Sequence, residues 1–347
     1  MGLFRRGRRD ETPPTDAIAQ FWAWWQAEGA TATATAVADR APERAGQAVS
    51  THVGAIHPDL AWELAAGTSS AHLLVVSPEG NPDLRGTARR WLRAAPPADA
   101  TWAYADTRQP VDDLDGLELE VNGRVIAFKD VVITARREGL RIPVTVYHPA
   151  FPDVDHGTRA TITYLALDTV LGEEDVECWV GEVVAAESTP LDAFPITWLR
   201  GLVRDLKAEH TTQDGEPQYV MFQGSGAEGP LVAMAQVPLA AATAPELDTH
   251  VAVFLPYLST DDSGLPSPGS LDSLRRLEDG ITVDLGGTGR IVAHQSSAGT
   301  RVLHVYVDGT TGAAGLVRAA AQRWTEGSAS VTVTRDPAWE MVSHLRG

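Results

Sequence analysis

The chain has 347 residues, of which 44% are apolar and 21% are charged, and its formal net charge is −18. This length and composition predict a folded protein with two or three domains, each large enough for its own hydrophobic core. The charge argues against direct binding of nucleic acid, because such binding needs clustered Lys and Arg residues to displace counterions from phosphates. A protein partner, and a basic one in particular, suits this acidic chain better.

The single cysteine, Cys178, excludes a disulfide within the chain and any metal site built on several cysteines. We therefore expect a reducing, cytoplasmic location. No apolar run approaches the ~20 residues of a membrane-spanning helix. Residues 1–14 lack the apolar core of a signal peptide and are predicted to form a disordered basic arm. The basic residues of this arm are Arg5, Arg6, Arg8 and Arg9.

Residues 15–240 are predicted to form an α+β domain that divides into two subdomains if it breaks near residues 110–150. A helix over residues 16–27 places four apolar side chains on one stripe facing the core, namely Ile18, Phe21, Trp22 and Trp25. A second helix is predicted over 31–53. Two strands, a helix and a third strand then follow over 60–105.

An antiparallel meander is predicted over 117–147, with Asn122-Gly123 as the strongest hairpin signal. Helices are predicted over 155–170 and 190–208, where they pack on this meander. Between them, residues 176–184 alternate like a strand, so Cys178 is interpreted as a small core residue.

Residues 238–245 are rich in alanine and proline and are predicted to form a linker, which places a domain boundary near residue 240. The remainder, 241–347, has the clearest pattern. Its predicted elements, in order, are strand 249–257, helix 270–285 with Ser270 as its N-cap, strands 289–295 and 300–307, helix 311–324 and strand 328–334. This βαββαβ order predicts a ferredoxin-like domain, and the fold class of the chain is α+β.

A set of short motifs runs in order along residues 250–347: Leu255-Pro256-Tyr257, Gly264-Leu265-Pro266, Leu274, Leu277-Glu278-Asp279, Gly299-Thr300-Arg301, Tyr306 and Asp336-Pro337-Ala338-Trp339. Through these residues the C-terminal third resembles the bacterial DUF695 family, a domain of unknown function. More distantly, through the Gly-Leu-Pro loop, it is similar to the regulator of ribonuclease E activity B. That second resemblance implies a protein that acts by binding another protein.

Several motifs that suggest cofactor or metal chemistry fail in their context. Residues 224–229 match G-x-G-x-x-G, but Pro230 and an apolar strand follow where dinucleotide binding needs a helix, so the motif predicts a hairpin loop. The acidic group lacks the alternating pattern of a calcium loop and is interpreted as solvated surface; its members are Asp261, Asp262, Glu278 and Asp279. The strand histidines are expected at edge or surface positions; they are His250, His294 and His304. We predict no cofactor and no metal.

Arg301 is the candidate binding residue, together with Tyr306. Arg301 begins a strand and shares a sheet face with His294 if the loop over 296–299 closes in simple register. Arg301 and Tyr306 could together recognise a carboxylate or a peptide. A structural ion pair between Arg301 and Glu278 or Asp279 explains the arginine equally well.

Three hypotheses for function follow. The first is a non-enzymatic protein-binding or regulatory module, favoured by the acidic composition, the missing catalytic motifs and the resemblance. The second is an enzyme with an unrecognised site between the N-terminal subdomains, and the third is a structural component of a larger assembly. The sequence gives no indication of the oligomeric state.

Overall fold

The computed structural model describes residues 14–114, 116–121, 123–212, 214–226 and 229–346. The predicted basic arm, apart from Pro14, and the hairpin residue Asn122 lie outside the described residues. The chain divides into two compact units, Met1–Arg108 and Gln109–Gly347. Helices and strands are mixed along both units, which confirms the α+β class.

The first unit packs helices on a small sheet. Its helices are α1 (Pro14–Trp24), which continues through a π-helical turn (Trp25–Gly29) into α2 (Ala30–Ala38), then α3 (Glu43–Ile56) and α4 (Pro82–Arg93). Its strands are β1 (Ala61–Ala66), β2 (His72–Ser77) and β3 (Trp102–Ala105), with β1 antiparallel and β3 parallel to β2. The predicted stripe over residues 18–25 is buried and packs against Trp91, so that part of the prediction is confirmed. The helix predicted over 31–53 is two helices, because the chain turns at Arg40 and Pro42 cannot continue a helix.

The second unit begins with two small sheets and three helices. Its first elements are β4 (Glu118–Val121), β5 (Arg124–Ala127), β6 (Val132–Ala135), β7 (Ile142–Tyr147), α5 (His156–Leu171), α6 (Glu173–Trp179), β8 (Val180–Ala185), β9 (Phe194–Pro195) and α7 (Leu199–Glu209). Strands β4 and β5 form a ribbon, and the second sheet has the order β8-β7-β6-β9. The helix predicted over 190–208 begins only at Leu199, because strand β9 occupies part of the range.

Cys178 is a buried core residue, as predicted, but it lies at the end of helix α6 rather than in a strand. Gly172, with a φ of +80°, ends α5, and α6 starts directly after it. Acidic residues in the first turn of α6 favour a helix start, since they complement the positive end of the helix dipole. The alternation over 176–180 fits a strand equally well, which explains the error.

A six-stranded antiparallel sheet forms the rest of the second unit. Its elements are β10 (Gln218–Gly226), β11 (Gly229–Val237), β12 (Thr249–Pro256), α8 (Pro268–Leu285), β13 (Gly289–Ser297), β14 (Thr300–Val307), α9 (Ala313–Ala321), β15 (Ser330–Arg335) and a terminal 3-10 helix (Glu340–Leu345). The strand order is β10-β11-β13-β14-β12-β15. From β12 onward the elements follow the predicted βαββαβ order. Strands β10 and β11 form the hairpin predicted for the glycine-rich motif.

Residues 238–245 are packed inside the unit rather than exposed like a linker. Leu239 and the three following alanines are each less than 5% exposed. Strand β11, before this segment, pairs with β13, after it, so the sheet continues across residue 240. Small side chains suit a segment that packs this closely. The predicted division into domains 15–240 and 241–347 stays a prediction.

The N-cap of helix α8 lies three residues before the predicted one, Ser270. Ser267 occupies the N-cap position and Pro268 the first turn, where proline is tolerated. Ser270 is buried, accepts a hydrogen bond from the Ser259 backbone N–H at 3.0 Å and donates to the Glu326 carboxylate. In the described part of the chain, no helix is both long enough and apolar enough to cross a membrane.

We predict that Trp179→Ala destabilises the second unit by about 3–5 kcal/mol, because Trp179 is 2% exposed in the core around α5, α6 and α7. Trp198→Ala is the matched control; Trp198 is 65% exposed, so its loss should change stability by no more than about 0.5 kcal/mol. Urea unfolding followed by circular dichroism measures both variants. Equal effects of the two substitutions would contradict the placement of this core.

Candidate functional site

The two predicted binding residues lie on opposite faces of the six-stranded sheet. Successive residues of β14 alternate between faces. Leu303 and Val305 point to the face covered by α8 and α9, whereas Tyr306 packs on the other face, against Trp339. Arg301 therefore lies on the helix-covered face, away from Tyr306. A joint binding role for Arg301 and Tyr306 stays a prediction, and the geometry gives each residue its own cluster.

Arg301 is held by Glu278 and Ser296, and His294 lies against Glu278; these four residues form the Arg301 cluster. The Arg301 guanidinium donates from Nη1 to Glu278 Oε1 at 2.8 Å and from Nε to Ser296 Oγ at 2.9 Å. His294 Nδ1 lies 3.5 Å from the same carboxylate oxygen. Cross-strand pairing sets Ser296 opposite Arg301 and His294 opposite Leu303, which confirms that Arg301 and His294 share a face. Of the two acidic partners considered for Arg301, the structure selects Glu278.

The electrostatics of the Arg301 cluster favour an ionised Glu278 carboxylate paired with the Arg301 guanidinium. Only 6% of the Arg301 side chain and 16% of the Glu278 side chain are exposed. Burial acts to raise the pKa of Glu278, but the hydrogen bond and charge of His294, together with Arg301, outweigh it and leave that pKa below its usual value. The arrangement ties α8 to the sheet by a buried ion pair, and it supports a structural role for Arg301.

Tyr306 anchors the end of the chain on the opposite face. Its hydroxyl donates to Asp336 Oδ2, and its ring stacks on Trp339 with the ring centroids 4.4 Å apart. Asp336 also accepts hydrogen bonds from the backbone N–H groups of Glu340 and Met341, each at 2.9 Å. It therefore stabilises the start of the terminal 3-10 helix. Burial, and then the neighbouring Asp336, raise the pKa of Tyr306. Tyr306 is thus a fully buried tyrosine that donates one strong hydrogen bond.

A pair of buried histidines beside Tyr306 was not foreseen. His250 Nε2 and His304 Nδ1 are 3.1 Å apart, and the two residues are 2% and 4% exposed. The expectation that they occupy edge or surface positions is wrong, because β12 and β14 have strands on both sides. The βαββαβ order carried this signal, since the sheet it predicts sets its first and third strands side by side.

The histidine pair resists protonation. His304 Nε2 is buried and has no hydrogen-bond partner among the described residues. Burial, aided by the nearby His250, His344 and His294, lowers the pKa of His304 to about 3. Burial also lowers the pKa of His250. Both imidazoles are therefore neutral in the folded protein near pH 7.

Other acidic side chains do not converge on a site. Within the described ranges, no three His, Cys, Asp or Glu side chains are placed to hold a metal ion. Asp261 accepts hydrogen bonds from the Ser263 and Leu265 backbone N–H groups and shapes its loop, while Asp262 and Asp279 are exposed. The acidic group is thus divided between a loop, a helix surface and the Arg301 cluster.

A cleft beside α6 has a volume of about 220 Å³. It is lined by Cys178 and by charged residues that include Asp175 and Lys207, whose Oδ1 and Nζ atoms are 2.9 Å apart. Ligand pockets usually measure about 300–1,000 Å³, so this cleft is small for one. Burial raises the pKa of the Cys178 thiol, which is the opposite of what a reactive thiolate needs.

The Arg301 cluster, the residues around Tyr306 and the histidine pair all lie within one segment of the chain, residues 232–345. Residues 232–345 match the model of DUF695, a family of unknown function. The resemblance predicted for the C-terminal third is confirmed, and the match starts earlier than predicted, inside β11. No curated protein and no solved structure matches the chain. The similarity to the regulator of ribonuclease E activity B stays a prediction.

We predict that Glu278→Leu destabilises the second unit by about 3 kcal/mol, because it leaves the Arg301 guanidinium buried without its carboxylate. Adding Arg301→Met should restore most of that loss, since an apolar pair then fills the space. Asp272→Leu is the control on the same helix; its pair with Arg275 is exposed and should contribute less than about 0.5 kcal/mol. Denaturant unfolding of these three variants, of Arg301→Met alone and of the natural chain gives the comparison. Additive losses in the double variant would contradict a structural pair.

We predict that acid destabilises the second unit through His304. The folded pKa lies below the ordinary value of 6.5, so the unfolded chain binds the extra proton and stability falls as pH drops below 6.5. At pH 5 this residue alone should cost about 2 kcal/mol relative to pH 7.5. His304→Gln should reduce the pH dependence by that amount, whereas His156→Gln, at an exposed site, should not. The same pH dependence in all three proteins would overturn the assignment.

Proposed function

We propose that this chain is a non-enzymatic protein-binding module that recognises a basic partner through an acidic surface on residues 109–217. The observation that carries the proposal is the uneven distribution of charge along the chain. Residues 109–217 contain 21 acidic and nine basic residues, so this segment accounts for −12 of the net charge of −18. Residues 251–347, by contrast, contain ten acidic and eight basic residues.

The acidic side chains of this segment face solvent. Sixteen of them are exposed, and none of those that the structure describes is buried. Six of the nine basic residues pair with acidic residues of the same segment: Arg124 with Asp153, Arg136 with Glu138, Arg137 with Glu209, Arg159 with Glu187, Arg204 with Asp205, and Lys207 with Asp175. The acidic excess therefore remains after the local pairs are formed.

An excess of one sign of charge speeds association with a partner of the opposite sign. The attraction extends over about 8 Å at physiological ionic strength and weakens as salt is added. The same surface repels a phosphate backbone, which supports a protein partner over nucleic acid. We place the module in the cytoplasm, a location supported by its lone free cysteine, Cys178.

Affinity capture tests the proposal. The tagged full-length chain is exposed to an extract of cells that express it, at about 50 mM and about 500 mM salt, and bound proteins are identified by mass spectrometry. We expect a stoichiometric partner with a basic surface that is retained at low salt and released at high salt.

A pair of triple variants locates the surface. Glu118→Lys, Glu120→Lys and Glu182→Lys together reverse three exposed charges within 109–217 and should abolish capture. Asp262→Lys, Asp272→Lys and Asp279→Lys together make the same change in net charge on exposed sites outside the segment and should leave capture intact. Equal effects of both variants, or no partner retained by the natural chain, would contradict the proposal.

A further inference from the structure

Strand β10 ends the six-stranded sheet without the usual protection of an edge. Its nine residues, QYVMFQGSG, include no charged side chain and no proline. Natural edge strands are commonly short, charged or interrupted by proline, because their unpaired backbone groups otherwise accept a further strand. The opposite edge, β15, is only six residues long and ends in Arg335.

The accessible part of β10 begins at its second residue. The Gln218 backbone N–H is already bonded to the His210 carbonyl at 3.0 Å. After that point the side chains of alternate residues are exposed, with Tyr219 46% and Met221 56% accessible. Residues 223–225 are exposed as well. A stretch of about seven residues is thus available to a pairing strand, which is a usual length for one.

Both faces of β10 offer apolar contacts to an added strand. On the helix-covered face, Met221 lies opposite the half-buried Met234, and Met234 lies opposite His294 of the Arg301 cluster. On the other face, Phe222 is half-buried against the core that contains Tyr306. An extended segment with apolar or β-branched residues would pack beside Met221 on one face and beside Phe222 on the other, since cross-strand neighbours on one face pack together.

The charge around β10 indicates which kind of strand would pair with this edge. Asp214 and Glu216 stand exposed just before the strand, with Glu216 3.5 Å from the Arg290 guanidinium, and the unit from residue 109 onward carries a net charge of −17. A second copy of this chain would bring an equally acidic unit alongside. A segment that carries basic residues at the end nearest Asp214 and Glu216 is attracted instead. Every neighbouring pair in this sheet is antiparallel, so an added antiparallel strand has its C-terminal end there.

We propose that the open edge of β10, residues 219–225, binds an extended uncharged segment of a protein partner by antiparallel strand addition, with basic residues that follow the segment meeting Asp214 and Glu216. This inference rests on the proposed function, in that it supplies the contact by which the basic partner is held. Main-chain hydrogen bonds give such a complex its affinity, and side-chain rows give it selectivity.

A labelled peptide serves as the probe: Thr-Val-Thr-Val-Thr-Val-Arg-Arg, titrated with the full-length chain by fluorescence anisotropy. Two control peptides have the same length; one ends in Glu-Glu, and the other carries N-methyl groups on every threonine and valine, so that neither edge of its uncharged part can donate a backbone hydrogen bond. We expect the Arg-tailed peptide to bind at least about tenfold more tightly than either control, because the first control loses the charge match and the second loses the backbone donors. Equal binding of the N-methylated peptide, or no binding of the Arg-tailed peptide, would overturn the strand site.

Two double variants give the matching test on the protein. Met221→Lys with Gln223→Lys places charges on the edge strand, as natural edges do, and should weaken peptide binding at least about tenfold. Leu258→Lys with Val283→Lys makes the same charge change at side chains that are 79% and 80% exposed elsewhere, and it should change binding by less than about twofold. Circular dichroism checks that each variant folds, and the N-methylated peptide tests the natural chain whatever the variants do.

The same variants separate the two proposals. If Met221→Lys with Gln223→Lys captures the salt-sensitive partner as well as the natural chain does, the strand site is wrong and the acidic surface stands. If the natural chain captures no partner, the proposed function fails, and the peptide titration still decides whether β10 accepts a strand.

Discussion

The buried pair between Glu278 and Arg301 fixes helix α8 against the six-stranded sheet, and neither partner can be removed alone without leaving the other uncompensated. An arginine on a central strand cannot be buried alone, because desolvation of its charge costs more than folding can supply. Helix α8 provides the carboxylate and β13 provides Ser296, so the helix and two strands are fixed relative to one another. On the other face of β14, Tyr306 and Asp336 make the equivalent connection to the end of the chain. Strand β14 thereby connects helix α8 on one face of the sheet with the terminal 3-10 helix on the other.

The sequence predicts the elements of this unit better than it predicts their contacts. Apolar periodicity gave the βαββαβ order, and the short loop after β13 gave the register that sets His294 beside Arg301. The separation of Arg301 from Tyr306 was also readable, since residues five apart in a regular strand face opposite sides. The burial of His250 and His304 follows from the βαββαβ order, which places β12 and β14 inside the sheet, but periodicity within either strand alone does not indicate it.

The remaining errors arise where local signals agree with two structures. The alternation around Cys178 suits a strand and the end of α6 alike, and tertiary packing decides between them. The alanines over 240–242 look like a flexible connection, yet small side chains are also what a tightly packed turn requires. Ser267 and Ser270 are both good helix caps, and only Pro268 marks the first turn. In each case the local sequence is compatible with the observed structure, but residues distant in the chain determine which of the two structures forms.

The acidic segment and the uncharged edge strand would contribute to recognition of a partner in different ways. Exposed carboxylates attract a basic partner from a distance, with little directional preference, whereas backbone groups on β10 act only at contact and demand an extended conformation. Charge would then govern the rate of association and strand pairing its lifetime.

Amide hydrogen exchange of the full-length chain, with and without the captured partner, tests this account most directly. The account predicts slower exchange in residues 219–225 and at the exposed acidic sites of 109–217, with β12 and β14 unchanged because they are already protected. Slower exchange confined to the first unit, or to β15 at the other edge of the sheet, would contradict it.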